Sequence, residues 1–283
     1  MQYTVKNNRV EITVDTLGAE LVSVKVDGKE RLWQNESGAW AGHAPVLFPV
    51  CGRCAVVKNG EKYVLGLHGF ARKTQFVFKE QGEDFISFSL TSDETTYKEF
   101  PYAFVFKVTY TLLDSGVKTT YTVENPAGET LYFSCGSHES FALDKDVGEY
   151  EIVFEKEETL VHYYHNDEGK LTGETKDYGK VKTFPLPADF LSEGRTLIFK
   201  DVASRKVTLQ EKGGKEIAVF SYEKCGNLLL WRASADSKYI CIEPWCNLPD
   251  YAKGKDVEFA DKAGVLALEK GKSIAISREI NYK

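Results

Sequence analysis

Three stretches of this 283-residue chain set polar functional groups among glycine, proline and aromatic residues. The first is Phe48-Pro49-Val50-Cys51-Gly52-Arg53, followed by Gly66-Leu67-His68-Gly69-Phe70-Ala71-Arg72. The second is Cys135-Gly136-Ser137-His138-Glu139-Ser140-Phe141. The third runs from Cys241-Ile242-Glu243-Pro244-Trp245 through Cys246-Asn247-Leu248-Pro249-Asp250. The second and third each follow an apolar run that reads as a strand. Strand ends and the loops beyond them are where β-folds present binding groups.

Each group has two readings at this level. Pro244 ends the ladder of a strand entering the core. Glu243 then sits at the mouth of an apolar wall, where burial raises its pKa and a cationic neighbour lowers it. It is a titrating carboxyl or the partner of a core arginine. His138, beside a glycine that permits close backbone approach, is a proton carrier near neutral pH or a hydrogen-bonded structural histidine. Arg53 and Arg72 carry planar forks suited to hydroxyls, carboxylates or phosphates, or they form surface ion pairs. His68 donates to a ligand or to the fold. Trp245 stacks on the apolar face of a sugar ring or packs at a rim. His162 and His165, in a polar stretch, read as surface residues. Ser137 beside His138 is no nucleophile pair, because adjacent strand residues point to opposite faces. His-Glu-x-x-His and Gly-x-Ser-x-Gly motifs are absent.

The elements that must position these groups read as strand after strand. Arg9–Val14, Glu20–Val26, Phe85–Leu90, Phe104–Leu112, Val117–Glu124, Val207–Leu209, Ile217–Phe220, Leu228–Trp231 and Ser273–Ser277 are apolar or alternating runs separated by turn residues. Many short strands of this kind predict an all-β, antiparallel sandwich or barrel. Asp93–Phe100 predicts one short helix, with Ser92 as its cap and Pro101 as its stop. The polar stretch from His162 to Lys182 predicts long surface hairpins, and Glu155-Lys156-Glu157-Glu158 a solvated edge. No linker divides the chain, so residues 1–283 are expected to form one domain.

Composition narrows the function. The sum of 36 Lys and Arg against 42 Asp and Glu gives a net charge of −6. Without a basic tract the chain is not expected to bind nucleic acid. No apolar run approaches the roughly 20 residues of a membrane span, and the first residues show no apolar signal segment. No membrane association and a cytoplasmic location are the expectations. Of six cysteines, Cys51 and Cys54 have a CxxC spacing, but Cys241 and Cys246 are wrongly spaced for a second zinc-binding pair. Buried free thiols are expected, with no metal and no cofactor.

As a set, Phe48-Pro49 with Gly52-Arg53, His68-Gly69-Phe70-Ala71-Arg72, Gly136-Ser137-His138 and Glu243-Pro244-Trp245 with Leu248-Pro249-Asp250 resemble the aldose 1-epimerase (mutarotase) family. The likeness is closest to its compact bacterial branch and to hexose-6-phosphate 1-epimerases. It implies a large antiparallel β-supersandwich of the galactose mutarotase type. It implies Glu243 as general base and His138 as general acid in opening an aldose ring, ionised and protonated respectively, about a monosaccharide's width apart. Arg53 and His68 match sugar-contacting positions, and Arg72 matches the arginine that binds a 6-phosphate. The implied partner is a small aldose or aldose phosphate; the oligomeric state is not implied. Glu139 stands where many relatives carry Pro, Asn247 where Gly is common, and Cys54-Ala55 where larger mutarotases carry Asn-Arg. A non-catalytic sugar sensor with the same pocket is the alternative. A glycosidase needs two carboxyls flanking the bond, and would have to recruit Glu139 or Asp250.

Overall fold

A computed structural model describes residues 1–189, 196–235 and 237–283. The chain is mostly antiparallel β-sheet, as the resemblance implies. One long sheet starts at the edge strand Glu139–Ala142 and continues through Tyr239–Trp245, Asn227–Trp231, Thr196–Phe199 and Tyr150–His165. It goes on through Lys206–Glu211, Glu216–Tyr222, Ser273–Tyr282, Gly116–Glu124, Val105–Leu112, Phe85–Thr91 and Val77–Gln81. A four-stranded sheet, Gln2–Lys6, Val10–Asp15, Glu20–Val26 and Lys29–Glu30, packs against it.

Alternation in the sequence explains the layers. Val105–Leu112 has every second side chain buried, as does Gly116–Glu124 over most of its length. Their inward residues join a core cluster that includes Phe48, Phe88, Phe104, Phe106 and Tyr121. Each buried Phe removes enough apolar surface from water to contribute about 1.5–3 kcal/mol. Phe48 stacks on Phe106, with centroids 4.2 Å apart. It thereby anchors the loop that carries Cys51 and Gly52.

Local outcomes differ from the sequence reading in instructive ways. The short helix is Glu94–Glu99, but its cap is Asp93, not Ser92. The Asp93 carboxylate accepts from the backbone N–H groups of Thr95 and Thr96, while the Thr96 hydroxyl accepts from the Asp93 N–H. That reciprocal box outcompetes a lone serine. The polar stretch forms one long hairpin, Tyr150–His165 with Leu171–Pro185. Glu155 to Glu157 are exposed, but Glu158 is buried and accepts from the Ser204 hydroxyl and the N–H groups of Ala203 and Ser204. All six cysteines are free and buried.

Candidate active site

Antiparallel register builds the site. Ile198 lies opposite Leu229, and Leu229 opposite Glu243. Glu139 pairs with Ile242, and Gly136 bridges Trp245, so His138 falls opposite Glu243. This row of four side chains lines one cleft of about 240 Å³. The next row adds Thr196 and Trp231. Directly opposed residues on a sheet face have Cβ atoms only about 4.5–5.5 Å apart. The imidazole and the carboxyl therefore meet, with His138 Nε2 3.4 Å from Glu243 Oε1. They do not face each other across a monosaccharide's width, as the resemblance led us to expect. They are neighbours on one wall because they come from adjacent strands.

Aromatic rings enclose the imidazole. Trp40 stacks on His138 with centroids 5.0 Å apart, and Trp231 meets it edge-on at 5.4 Å. The His68 ring adds a third contact at 5.5 Å and also touches Trp245 at 5.1 Å. Trp245 is 4% exposed and donates its indole N–H to the Ser137 carbonyl. It is cleft wall as much as ring platform.

His68 occupies a left-handed conformation at φ +64. Gly69 follows at φ +71, and a Cβ there would lie 2.3 Å from the Phe48 carbonyl oxygen, so only glycine fits. The Gly52 N–H donates to His68 Nδ1 at 3.0 Å. The ring proton of neutral His68 is thus on Nε2. Arg72 also lines the cleft, half-buried, with Nε donating to the Leu67 carbonyl at 3.1 Å. It forms no ion pair among the described residues.

Arg53 lies elsewhere. It is exposed and lines an adjoining pocket with Glu168, Lys170 and Asp250. Its backbone carbonyl accepts from the Asp250 N–H. Asp250 is itself held by Lys262 and by the Ala55 N–H. It is not a second carboxyl for the cleft. Asn247 is a brace: its side-chain oxygen accepts from the Cys51 N–H at 2.8 Å, and its amide donates to the Cys51 and Leu248 carbonyls. Where glycine would leave those groups open, the asparagine ties the Phe48–Gly52 loop to the Glu243 strand.

Both polar-stretch histidines differ from the surface reading. His162 is fully buried, and its Nδ1 accepts from the Ile198 N–H at 3.0 Å. His165 lines the cleft, with Nδ1 donating to the Asn166 carbonyl at 2.8 Å and Nε2 buried and unpartnered. Sequence reasoning also missed Trp40 and Trp231. Trp231 carried a signal, since it shares strand parity with Leu229 at the end of an apolar run. Trp40 sits in a loop and carried none.

Electrostatics in the cleft are governed by dryness. Burial, reinforced by the charge of Glu139, holds the Glu243 carboxyl well above its usual value, with the Trp245 indole opposing. Burial, with Arg72 adding to it, pushes His138 down to about 3. Burial and the neighbouring cations hold His68 well below its usual value. Burial thus biases both members of the pair toward their neutral forms, a protonated carboxyl and an unprotonated imidazole. The productive form expected from sequence, with Glu243 ionised and His138 protonated, is the other arrangement of the same pair. The proton count is the same, and the two states differ by one proton moved between neighbours.

The fold and this cleft define a galactose mutarotase-like β-supersandwich with an imidazole–carboxyl pair in its groove. A family model described as aldose 1-epimerase matches residues 1–273, and the chain belongs to that family. Protein LacX of Lactococcus lactis subsp. lactis is 31% identical over 265 residues, covering 88% of this chain and 88% of LacX. A galactose mutarotase related enzyme from Lactobacillus acidophilus superposes with a TM-score of 0.88 at 28% identity, over 100% of this chain and 97% of that one. A galactose mutarotase-like protein from Lactobacillus casei superposes at 0.90 with 25% identity, over 100% of both chains.

Proposed function

We propose that this chain interconverts the α and β anomers of an aldohexose by acid–base ring opening, with Glu243 as base and His138 as acid. The observation that carries this reading is the 3.4 Å contact between the two groups on one cleft wall. Ring opening removes a proton from the C1 hydroxyl and gives one to the ring oxygen. Both oxygens are bonded to the same carbon. Two proton carriers side by side match that demand, whereas two carriers a sugar's width apart do not.

In the working state the single proton of the pair sits on His138 and leaves Glu243 ionised. A C1 hydroxyl donating to the carboxylate favours that state, so the sugar itself draws the proton across. Glu243 then takes the hydroxyl proton while His138 protonates the ring oxygen. Rotation about the C1–C2 bond and reversal of the roles close the ring on the other face. Each positioned acid or base contributes about 10²–10⁴-fold. His68 offers a neutral N–H from Nε2 for a hydroxyl farther along the sugar.

Arg72 favours a second substrate class, the aldose 6-phosphate. Its guanidinium lines the cleft and meets no carboxylate among the described residues. An anion would complete its fork. Polarimetry on freshly dissolved α-glucose, alone and with the protein, tests the reading. Faster loss of optical rotation is expected. Sugar binding with an unchanged rate would instead identify a sensor. Parallel runs with hexose 6-phosphates decide between the two substrate classes.

A further inference from the structure

Cys241 lies two residues before Glu243 on the strand Tyr239–Trp245, and so on the same face. Its cross-strand neighbour is Trp231, one of the cleft residues. The Cys241 sulfur, a nitrogen of His138 and a carboxyl oxygen of Glu243 all lie within 4.8 Å of one another. These are three different ligand types converging from two adjacent strands, two of them lining the cleft and the Cys241 sulfur buried behind it. All three residues are buried.

We propose that His138, Cys241 and Glu243 form a binding site for a thiophilic divalent cation of the Zn²⁺ type, entered from the cleft. The spacing supports it. With metal–nitrogen and metal–oxygen bonds of about 2.0–2.2 Å, a tetrahedral ion separates its nitrogen and oxygen ligands by roughly 3.3–3.5 Å. The His138 Nε2 to Glu243 Oε1 distance is 3.4 Å. The sulfur lies within 4.8 Å of both and closes the third corner by approaching them to roughly 3.5 Å. His138 and Glu243 both line the cleft, so the fourth corner is left to water or a ligand entering from there. Imidazole, thiolate and carboxylate together suit Zn²⁺ and Co²⁺ and disfavour Mg²⁺ and Ca²⁺, which take all-oxygen shells. The Cys241 thiol, and the Glu243 carboxyl where it is protonated, release their protons to solvent as the metal–sulfur and metal–oxygen bonds form.

This site has a consequence for catalysis, which rests on the acid–base reading above. The cation takes the lone pairs of both proton carriers and blocks anomer exchange. Cys241 is the discriminating residue, since it holds the cation but takes no part in moving protons. The Cys225 and Cys246 sulfurs, 3.0 Å apart, are an alternative thiol pair for a soft metal and supply the control.

The test uses the reduced, full-length protein, titrated with Co²⁺ and then competed with Zn²⁺. Cobalt–thiolate charge-transfer absorption reports sulfur ligation, and anomer exchange is followed in parallel samples. The wild type is expected to bind one equivalent with a cobalt–thiolate band and to lose exchange activity. Cys241→Ser is expected to keep its metal-free exchange rate and to bind at least ~10-fold more weakly. Cys225→Ser is expected to behave as wild type. Absence of the band in wild type, its loss in Cys225→Ser, or equal affinity in Cys241→Ser overturns the site. Binding without inhibition of an active enzyme overturns the assignment of His138 and Glu243 as ligands. If the protein proves inactive on every sugar, the cobalt titration still decides the site. Should Cys241→Ser fail to fold, X-ray absorption of the zinc-loaded wild type reads the same claim. One sulfur neighbour is expected, and none or two contradicts it.

Discussion

Glu139 and Glu243 lie on adjacent strands, one register step apart, and each is 1% exposed, yet they live in different chemistry. Glu139 points away from the cleft, where Arg278 Nε donates to it at 2.6 Å. Arg278 in turn donates to the Tyr121 hydroxyl at 2.7 Å, and its guanidinium sits over the Tyr121 ring. Glu243 points into the cleft, where its ion-pair neighbour among the described residues is a titratable imidazole rather than a lysine or arginine. Equal burial thus yields a committed ion pair on one face and a movable proton on the other. Partner identity, not depth, separates the structural carboxylate from the chemical one. Alternation of the strand keeps the two apart, because His138 and Glu139 are consecutive and point to opposite faces.

The sharpest contrast is in stability. Arg278→Ala leaves Glu139 buried and uncompensated, and is expected to lose about 3–5 kcal/mol. Glu243→Gln, which removes no cation partner and keeps its shape, is expected to fold as well as wild type. Urea denaturation of the two variants checks this, and comparable losses would erase the distinction.

Activity is expected to divide the other way. His138→Asn and Glu243→Gln should each cut catalysed anomer exchange by about 10²-fold or more. Wild-type rates in either variant would remove that residue from the mechanism.

Arg72 sharpens the picture at the far end of the cleft. A hydrogen bond to a charged group is worth about 1.5–3 kcal/mol. If the substrate is a 6-phosphate, Arg72→Ala should raise KM for it by roughly 10-fold or more. The exchange rate at saturation should hold. Equal effects on free sugars and phosphates would make Arg72 a cleft wall only.

The smallest expected effect is in the pH dependence of stability. The Glu243 carboxyl is raised above its ordinary 4.5, and His138 is lowered from 6.5 to about 3. Between those ordinary values the two contributions oppose, since folding retains a proton on Glu243 and excludes one from His138. Above pH 6.5 the His138 contribution is complete and no longer changes with pH. The folded state then holds the extra proton, so its stability falls as pH rises through the raised value. Each unit by which folding raises the carboxyl corresponds to about 1.4 kcal/mol. Glu243→Gln should remove this fall from urea midpoints followed upward from pH 4.5. Parallel slopes would mean that Glu243 is already ionised in the free protein.

How far the sequence reached follows from the same geometry. Period-two alternation made the strands readable, and strand ends marked the segments carrying His138, Glu243, His68 and Arg72. Long-range register was not readable. It alone makes His138 the cross-strand neighbour of Glu243, and it moves the pair from opposite sides of a ligand to one wall. Arg53 could not be separated from Arg72 by motif alone, because only the folded chain puts them in two adjoining pockets. His165 and Glu158 sit in a stretch whose polar composition suggested solvent. Both are drawn inward by pairing of the long hairpin and by backbone donors of the next loop. Trp40 lies in a loop without periodicity, so its stacking on His138 had no sequence signature.

The most direct test is NMR exchange spectroscopy of α and β anomers, across aldoses and their 6-phosphates, with the intact protein. The account predicts exchange above the buffer blank for at least one sugar, returning to the blank in His138→Asn. Exchange no faster than the blank for every sugar, or undiminished in that variant, would contradict it.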